Sequence, residues 1–436
     1  TGGVMVTASH NPARYNGYKA YAADGAQISG HVAAAVSEEI EKTDIFRDVK
    51  LADFEEALAD GRIEYIGDAL IERYYAAVMA QALRPEVGRA AGLRLVYTPL
   101  NGSGLVPVMT VLKRMGHTDI TVVPEQEQPN GDFPTCPYPN PEILEAMQLG
   151  LNLCEKLGAD LLLATDPDSD RVGTAVLQNG TPRLISGNEM GVLLLDYICR
   201  TRLELHKMPG NPVAVRSIVS TTMTDAIAAH YGVEMRQVLT GFKYIGEQIA
   251  HLEAEGHPER FIFGFEESYG YLAGGYVRDK DAVVASMLIC EMAAWYKGQG
   301  KNLGEALDDL YAQYGFYFNK VDSYTFPGSD GMAKMAALME TLRTELPIAI
   351  AGRPVTGQPD YEAGKRYEDG EGETPTGLPA ANVMEFRLGK EGSLVARPSG
   401  TEPKLKFYYS LRAADRPTAE KAYGEIKASV EDWLGL

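Results

Sequence analysis

Ser9 is the first residue of the chain that could carry chemistry. It lies in Thr7-Ala8-Ser9-His10-Asn11-Pro12, between the apolar run Val4-Met5-Val6 and a proline-stopped turn. That pattern puts a hydroxyl at the mouth of a strand, held by a tight loop. A serine is a weak nucleophile unless a base activates it or it already carries a phosphoryl group. Two later loops supply what such a serine needs.

The first is Asp166-Pro167-Asp168-Ser169-Asp170-Arg171, directly after the apolar run Asp160 to Ala164. Alternate carboxylates in an extended loop can converge on one hard cation. An EF-hand also begins D-x-D-x-D, but it needs Gly at its sixth position and Glu at its twelfth. Arg171 and Leu177 stand there instead. A solvated acidic turn is the plainer reading. The place after a parallel-sheet strand, however, is where α/β folds keep their chemistry. Asp166, Asp168 and Asp170 leave room for one more oxygen, which a phosphorylated Ser9 could supply. Mg²⁺ is the natural ion, because it commonly joins carboxylates to phosphate oxygens.

The second is Arg397-Pro398-Ser399-Gly400-Thr401-Glu402-Pro403-Lys404. It offers a guanidinium, two hydroxyls, a glycine that lets backbone N–H groups approach, and a lysine. Each suits a phosphate dianion. The loop is not a Walker A motif, and read alone it also fits a polar hairpin. Between these loops lies Gly264-Phe265-Glu266-Glu267-Ser268-Tyr269-Gly270, whose carboxylates and hydroxyl suit sugar hydroxyls. A helix N-terminus with acidic residues in its first turn reads equally well. Thr240-Gly241-Phe242-Lys243 reads as a turn or helix start. Arg278-Asp279-Lys280-Asp281 reads as a mixed-charge face.

The elements that position these loops follow an α/β rhythm. Helical and strand patterns alternate with short connections from Gly67 to about Leu184 and again to about Thr325, the signature of parallel sheets covered by helices. Beyond Thr325 the chain turns Gly- and Pro-rich, with paired strands near Val383 to Arg387 and Ser393 to Arg397, a strand from Lys404 and a helix from Thr418. The fold class is therefore α/β: successive three-layer α/β domains with mainly parallel sheets, plus a C-terminal α+β domain. Near the start, Asn16-Gly17 signals a tight hairpin turn, and a helix is expected from His31 to Lys42 with Val32, Ala35, Val36 and Ile40 on one face.

A length of 436 residues implies roughly three domains, with two to four admissible. A net charge of −19 argues against nucleic-acid and anionic-membrane partners but leaves small anionic substrates open. No apolar run approaches the ~20 residues that span a bilayer. Cys136, Cys154, Cys199 and Cys290 are scattered, which fits reduced thiols and a cytoplasmic location. The chain opens on Thr1-Gly2-Gly3 and enters its first motif at once, so a native segment before Thr1 is expected.

Taken together and in this order, the T-A-S-H-N-P, D-x-D-x-D-R, G-F-E-E-S and R-P-S-G-T loops resemble those of the α-D-phosphohexomutase superfamily. The resemblance runs from Ser9 to Thr401. It is nearest to bacterial phosphoglucomutases close to phosphopentomutase and glucose-1,6-bisphosphate synthase. It implies four domains: the end of domain I (residues 1–66), domain II (67–184), domain III (185–324) and domain IV (325–436). It also implies Mg²⁺ on Ser9, Asp166, Asp168 and Asp170, and glucose 1,6-bisphosphate as activator and intermediate. Ser9, His10, Lys19 and Arg171 would be catalytic, with a depressed pKa expected for Lys19 as a base. Thr240, Gly241, Glu266, Ser268, Lys280, Arg397, Ser399, Gly400 and Thr401 would bind the phosphosugar. The implied activity interconverts glucose 1-phosphate and glucose 6-phosphate in a monomer or dimer. Phosphopentomutase, phosphomannomutase, bisphosphate synthase, a metal phosphomonoesterase and a non-catalytic phosphosugar-binding protein are the alternatives.

Overall fold

The computed structural model describes residues 2–328, 330–370, 372–399 and 403–436. Gly400 and Thr401 lie outside the described residues. Two α/β units form the centre. In the first, strands Ile120–Val122, Leu95–Thr98 and Leu161–Thr165 run parallel. Strands Val172–Gln178 and Thr181–Ile185 continue the sheet antiparallel. In the second, Glu234–Val238, Val213–Ser217 and Phe261–Glu266 are parallel, and Gly270–Leu272 adds an antiparallel edge. The expected mainly parallel sheets are thus mixed. The antiparallel strands follow the two functional loops directly. A chain that must come back beside its own strand after a short loop can only pair antiparallel.

The two units share one core, which runs from Tyr75 to Tyr317. Helix Ala282–Lys297 is buried nearly all round, as its largely apolar sequence requires. It belongs to the second unit in sequence but packs on helices Val87–Ala91 and Leu105–Arg114 of the first. Asp281 caps its N-terminus and accepts hydrogen bonds from Tyr74 Oη at 2.9 Å and Tyr276 Oη at 2.5 Å. Further along, Glu291 accepts from Tyr197 Oη at 2.9 Å and from the Leu83 N–H at 3.1 Å.

Among the described residues the C-terminal sheet has seven strands, all antiparallel, with helices Gly331–Thr344 and Arg416–Leu434 packed in its core. One edge strand is Phe316–Thr325, paired along its length with Lys404–Ala413. The compositional change at Thr325 therefore falls at the end of a strand of this sheet, not before it. That strand alternates half-buried and exposed residues, so composition alone does not set it apart.

The N-terminal segment differs from expectation in two ways. Gly3–Val6 pairs with Tyr18–Tyr21, but the hairpin is closed by the serine loop and not by a two-residue turn at Asn16-Gly17. The Thr7 N–H donates to the Gly17 carbonyl at 3.0 Å, and a side chain on Gly17 would meet the Thr7 carbonyl oxygen at 2.9 Å. Helix Gly30–Lys42 forms as expected, yet none of its residues is buried. Val32 is 42% exposed and Ile40 50%, because no element among the described residues packs on that apolar face.

Candidate active site

The serine loop hangs over the C-terminal end of the first central sheet. Ser9 has φ 52°, a left-handed backbone that a serine adopts only when its surroundings impose it. Thr7 imposes it. Its Oγ1 accepts from the Ser9 N–H at 2.8 Å and donates to Asp168 Oδ2 at 3.2 Å. Ser9 Oγ then lies 3.4 Å from Asp166 Oδ2 and 3.1 Å from His10 Nδ1.

Asp166, Asp168 and Asp170 converge, with one carboxylate oxygen of each within 4.8 Å of the others. Asp166 is wholly buried, and its other oxygen accepts from the N–H groups of Asp170 at 3.0 Å and Arg171 at 2.8 Å, which closes the loop on itself. Burial first, and then the Asp170 and Asp168 charges, push the Asp166 carboxyl well up. Asp168 Oδ1 and Asp170 Oδ1 are buried and have no hydrogen-bond partner among the described residues. Three converging carboxylates with two orphaned oxygens are the donor set of a hard divalent cation, so these residues fit Mg²⁺. Directly beneath, the turn before helix Leu105–Arg114 supports the loop. The Ser103 N–H donates to the Pro167 carbonyl at 2.9 Å, and a side chain on Gly102 would lie 2.3 Å from Pro167 Cα.

Two lysines meet at Asp170. Lys19 Nζ reaches Asp170 Oδ2 at 2.7 Å and Asp168 Oδ2 at 3.1 Å. Lys280 Nζ reaches Asp170 Oδ2 at 2.8 Å and Asp279 at 3.3 Å. Burial raises the Asp170 carboxyl, but Lys280, Lys19 and Arg171 outweigh it and hold the group low. Burial and Lys280 pull Lys19 down, yet Asp170 and Asp168 outweigh them and hold it above its usual range. These two carboxylates thus act against the depression that the sequence reading ascribed to Mg²⁺ and Arg171. Burial, and then Arg171, lower His10 to about 4, so its imidazole is neutral at pH 7. Lys280, read as part of a charged face, is nearly buried.

Arg171 ties this loop to the sugar-type loop. Its Nη1 donates to the Ser268 carbonyl at 3.2 Å and lies 3.7 Å from Glu142. The Val172 N–H donates to the Tyr269 carbonyl at 3.1 Å, and the Ala282 N–H to the Ser169 carbonyl at 3.1 Å. Glu266 is buried at the end of its strand and accepts from the Gly241 N–H at 2.6 Å, which joins the 240–243 turn to the same group. Burial and Glu267 raise the Glu266 carboxyl against the pull of Lys280. Thr240 Oγ1 is buried without a hydrogen-bond partner among the described residues.

Arg397 and Ser399 come from the C-terminal sheet. The Ser399 N–H donates to the Lys404 carbonyl at 2.8 Å, and Arg397 is in register with Lys406 on the neighbouring strand. Lys406 is lowered by burial and by Arg397, as a cation held beside other cations must be. Sequence reading missed Lys406 and Thr7. Lys406 stands two places beyond Lys404 in a strand, so the period of two could have flagged it. Thr7 opens the T-A-S-H-N-P motif, but its tie to Asp168 comes from a distant loop.

Family models for phosphoglucomutase/phosphomannomutase match α/β/α domain I at residues 1–46, domain II at 72–180, domain III at 186–314 and the C-terminal domain at 363–420. A phosphoglucomutase from Staphylococcus haemolyticus is 37% identical over 411 residues, covering 94% of this chain and 73% of that protein. The chain belongs to the phosphoglucomutase/phosphomannomutase family. The Staphylococcus aureus (strain MRSA252) phosphoglucomutase is 34% identical over 427 residues, covering 95% of this chain and 73% of its own. Among solved structures, the Paramecium phosphoglucomutase parafusin in its open form aligns with a TM-score of 0.67 at 16% identity, covering 100% of this chain and 78% of that one. The N-acetylphosphoglucosamine mutase of Aspergillus fumigatus aligns with a TM-score of 0.55 at 16% identity, covering 99% and 88%. These two likenesses speak to the fold. Membership of the phosphoglucomutase/phosphomannomutase family makes the chain an isomerase of carbohydrate metabolism. No helix among the described residues is long and apolar enough to cross a membrane.

Proposed function

We propose that this chain interconverts glucose 1-phosphate and glucose 6-phosphate through a phosphorylated Ser9 and a glucose 1,6-bisphosphate intermediate. The observation that carries the reading is Ser9 Oγ at 3.4 Å from Asp166 in a three-carboxylate cluster with orphaned oxygens. The curated relatives, named phosphoglucomutase, favour glucose as the sugar.

In this reading Asp166, Asp168, Asp170 and the Ser9 oxygen would hold Mg²⁺. When bound, the ion neutralises charge on the transferred group. Arg397, Ser399, Gly400, Thr401 and Lys406 would grip the phosphate that does not react. Glu266, Ser268, Thr240 and Gly241 would hold the sugar hydroxyls, and Lys280 would face the transferred phosphate. The Ser9 Oγ–P bond breaks as the bond from the sugar 6-oxygen to phosphorus forms. The hydroxyl proton leaves the sugar, and a proton returns to Ser9 Oγ, where His10 Nδ1 stands 3.1 Å away. The bisphosphate turns over and its other phosphoryl group returns to Ser9. A neutral His10 suits this proton traffic, whereas Lys19 is engaged by two carboxylates and suits phosphate or charge balance instead. The four units of residues 1–66, 67–184, 185–324 and 325–436 would surround the cleft, with Phe316–Thr325 leading the third into the fourth. The four cysteines are buried and unpaired, which suits a reducing cytoplasm.

The test is kcat/KM measured side by side on glucose 1-phosphate, mannose 1-phosphate and ribose 1-phosphate, together with the intact mass of the protein. A phosphate on Ser9 and preference for glucose 1-phosphate are expected. Equal or faster turnover of ribose 1-phosphate would replace the hexose reading with a pentose one.

A further inference from the structure

Glu266 and Glu267 are adjacent, yet their carboxylates part company. Glu266 turns to the Gly241 N–H at 2.6 Å. Glu267 Oε2 instead accepts from Ser217 Oγ at 3.1 Å and Ser220 Oγ at 3.5 Å, and those two hydroxyls lie 2.9 Å apart. Successive residues at a strand end point to opposite faces, so the second carboxylate is directed away from the first. Its backbone is also pinned. A side chain on Gly187, at the start of helix Gly187–Glu204, would lie 1.9 Å from the Glu267 carbonyl oxygen.

The serines that hold Glu267 bracket Ile218 and Val219. Both are buried in a small apolar cluster with Leu239, and across from them in that cluster are Tyr361, Val383, Val395 and Tyr408 of the C-terminal sheet. Val395 and Tyr408 are register partners, and the next pair along the same face is Arg397 with Lys406. The segment that Glu267 fastens therefore packs against the strand pair that carries Arg397 and Lys406 one register step on. The Glu267 charge is felt by both Lys406 and Tyr408.

We propose that Glu267 is a positioning residue. It holds Ser217 to Ser220 so that the C-terminal sheet docks with Arg397 and Lys406 at the distance from Glu266 that a sugar phosphate spans. It touches no substrate and acts through the two hydroxyls. The proposal rests on the phosphosugar reading above.

The test uses the full chain, with Glu267→Gln, the pair Ser217→Ala and Ser220→Ala, and all three changes together. KM for glucose 1-phosphate is expected to rise about tenfold in Glu267→Gln with kcat within about threefold, the pattern of lost uniform binding. The serine pair should give the same shift, and the triple variant should add nothing to it, as for residues acting through one contact. The serine pair keeps Glu267, so a folding failure of Glu267→Gln does not end the test. Unchanged KM with a lower melting temperature would overturn the proposal in favour of a structural role. A fall in kcat at constant KM would overturn it in favour of a chemical one. If the wild-type chain does not interconvert the two phosphates, the mutase reading fails. Calorimetric titration with glucose 1-phosphate then decides this proposal alone, since the tenfold weakening must appear in the dissociation constant.

Discussion

The Arg171 guanidinium donates to the carbonyl of Ser268 at 3.2 Å, across 97 positions of sequence. The carboxylate loop and the sugar-type loop thus share one backbone-bonded frame, reinforced by the bridge between Arg171 and Gly270. Removing the guanidinium should loosen both ends. Arg171→Met is expected to lower kcat/KM by about 100-fold, or ~2.7 kcal/mol of transition-state stabilisation. Steady-state assays on glucose 1-phosphate measure this. Arg171→Lys should restore only part, because one ammonium cannot span Ser268, Glu142 and Asp170.

Ser9→Ala removes one half-buried hydroxyl and leaves the packing of the loop intact. Turnover should fall by about a thousandfold or more, since no group remains to carry phosphate. The melting temperature should move little. Intact-mass measurement checks the cause: the wild-type chain should show a phosphate that the variant lacks, and an active unphosphorylated wild type would refute the carrier role.

Metal removal tests the carboxylate cluster. Chelation should abolish activity, and added Mg²⁺ should restore it. Asp168→Asn should weaken Mg²⁺ binding by at least about 100-fold, the upper end of what loss of an outer partner alone costs. Calorimetric metal titration reads this directly. Undiminished affinity in Asp168→Asn would mean that the orphaned Asp168 oxygen serves another purpose.

Stability should depend on pH through Glu291, buried within helix Ala282–Lys297. Burial pushes this carboxyl up to about 7 from the usual 4.5. The folded state then holds the proton more tightly than the unfolded chain. The stability contributed by the protonated form is complete below 4.5 and is lost as pH rises to about 7. The loss across that window should be on the order of 3 to 4 kcal/mol. Glu291→Gln should be less stable at low pH, with an amide N–H₂ left unpaired, but should be flat across the window. Melting curves of both proteins from pH 5 to 8 check this. Parallel curves would exclude Glu291 as the cause.

A side chain at Gly104 would meet Thr165 Oγ1 at 2.6 Å and Ser169 Oγ at 2.8 Å beneath the carboxylate loop. Gly104→Ala should cost about 1–3 kcal/mol of stability by overpacking, and should also weaken Mg²⁺ binding. Melting and metal titration together measure the pair of effects.

The sequence by itself determined the α/β rhythm, the helices and the composition of each functional loop. Those features depend on neighbours a few residues apart: alternate aspartates after an apolar strand, or a proline-stopped turn after Ser9. Only the tertiary structure decided which groups meet. Asp166 and Ser9 come together because the serine loop closes a hairpin whose outgoing strand carries Lys19 to Asp170. Lys19 is pulled up by two carboxylates from a distant loop that face it, and no local pattern encodes that. Glu266 and Glu267 are chemically identical and adjacent. One faces the Gly241 turn and the other a serine pair because the strand's pleat sends them apart and the partners on each side come from other elements. Residue type sets what a group can do, and long-range packing sets its charge state and partner.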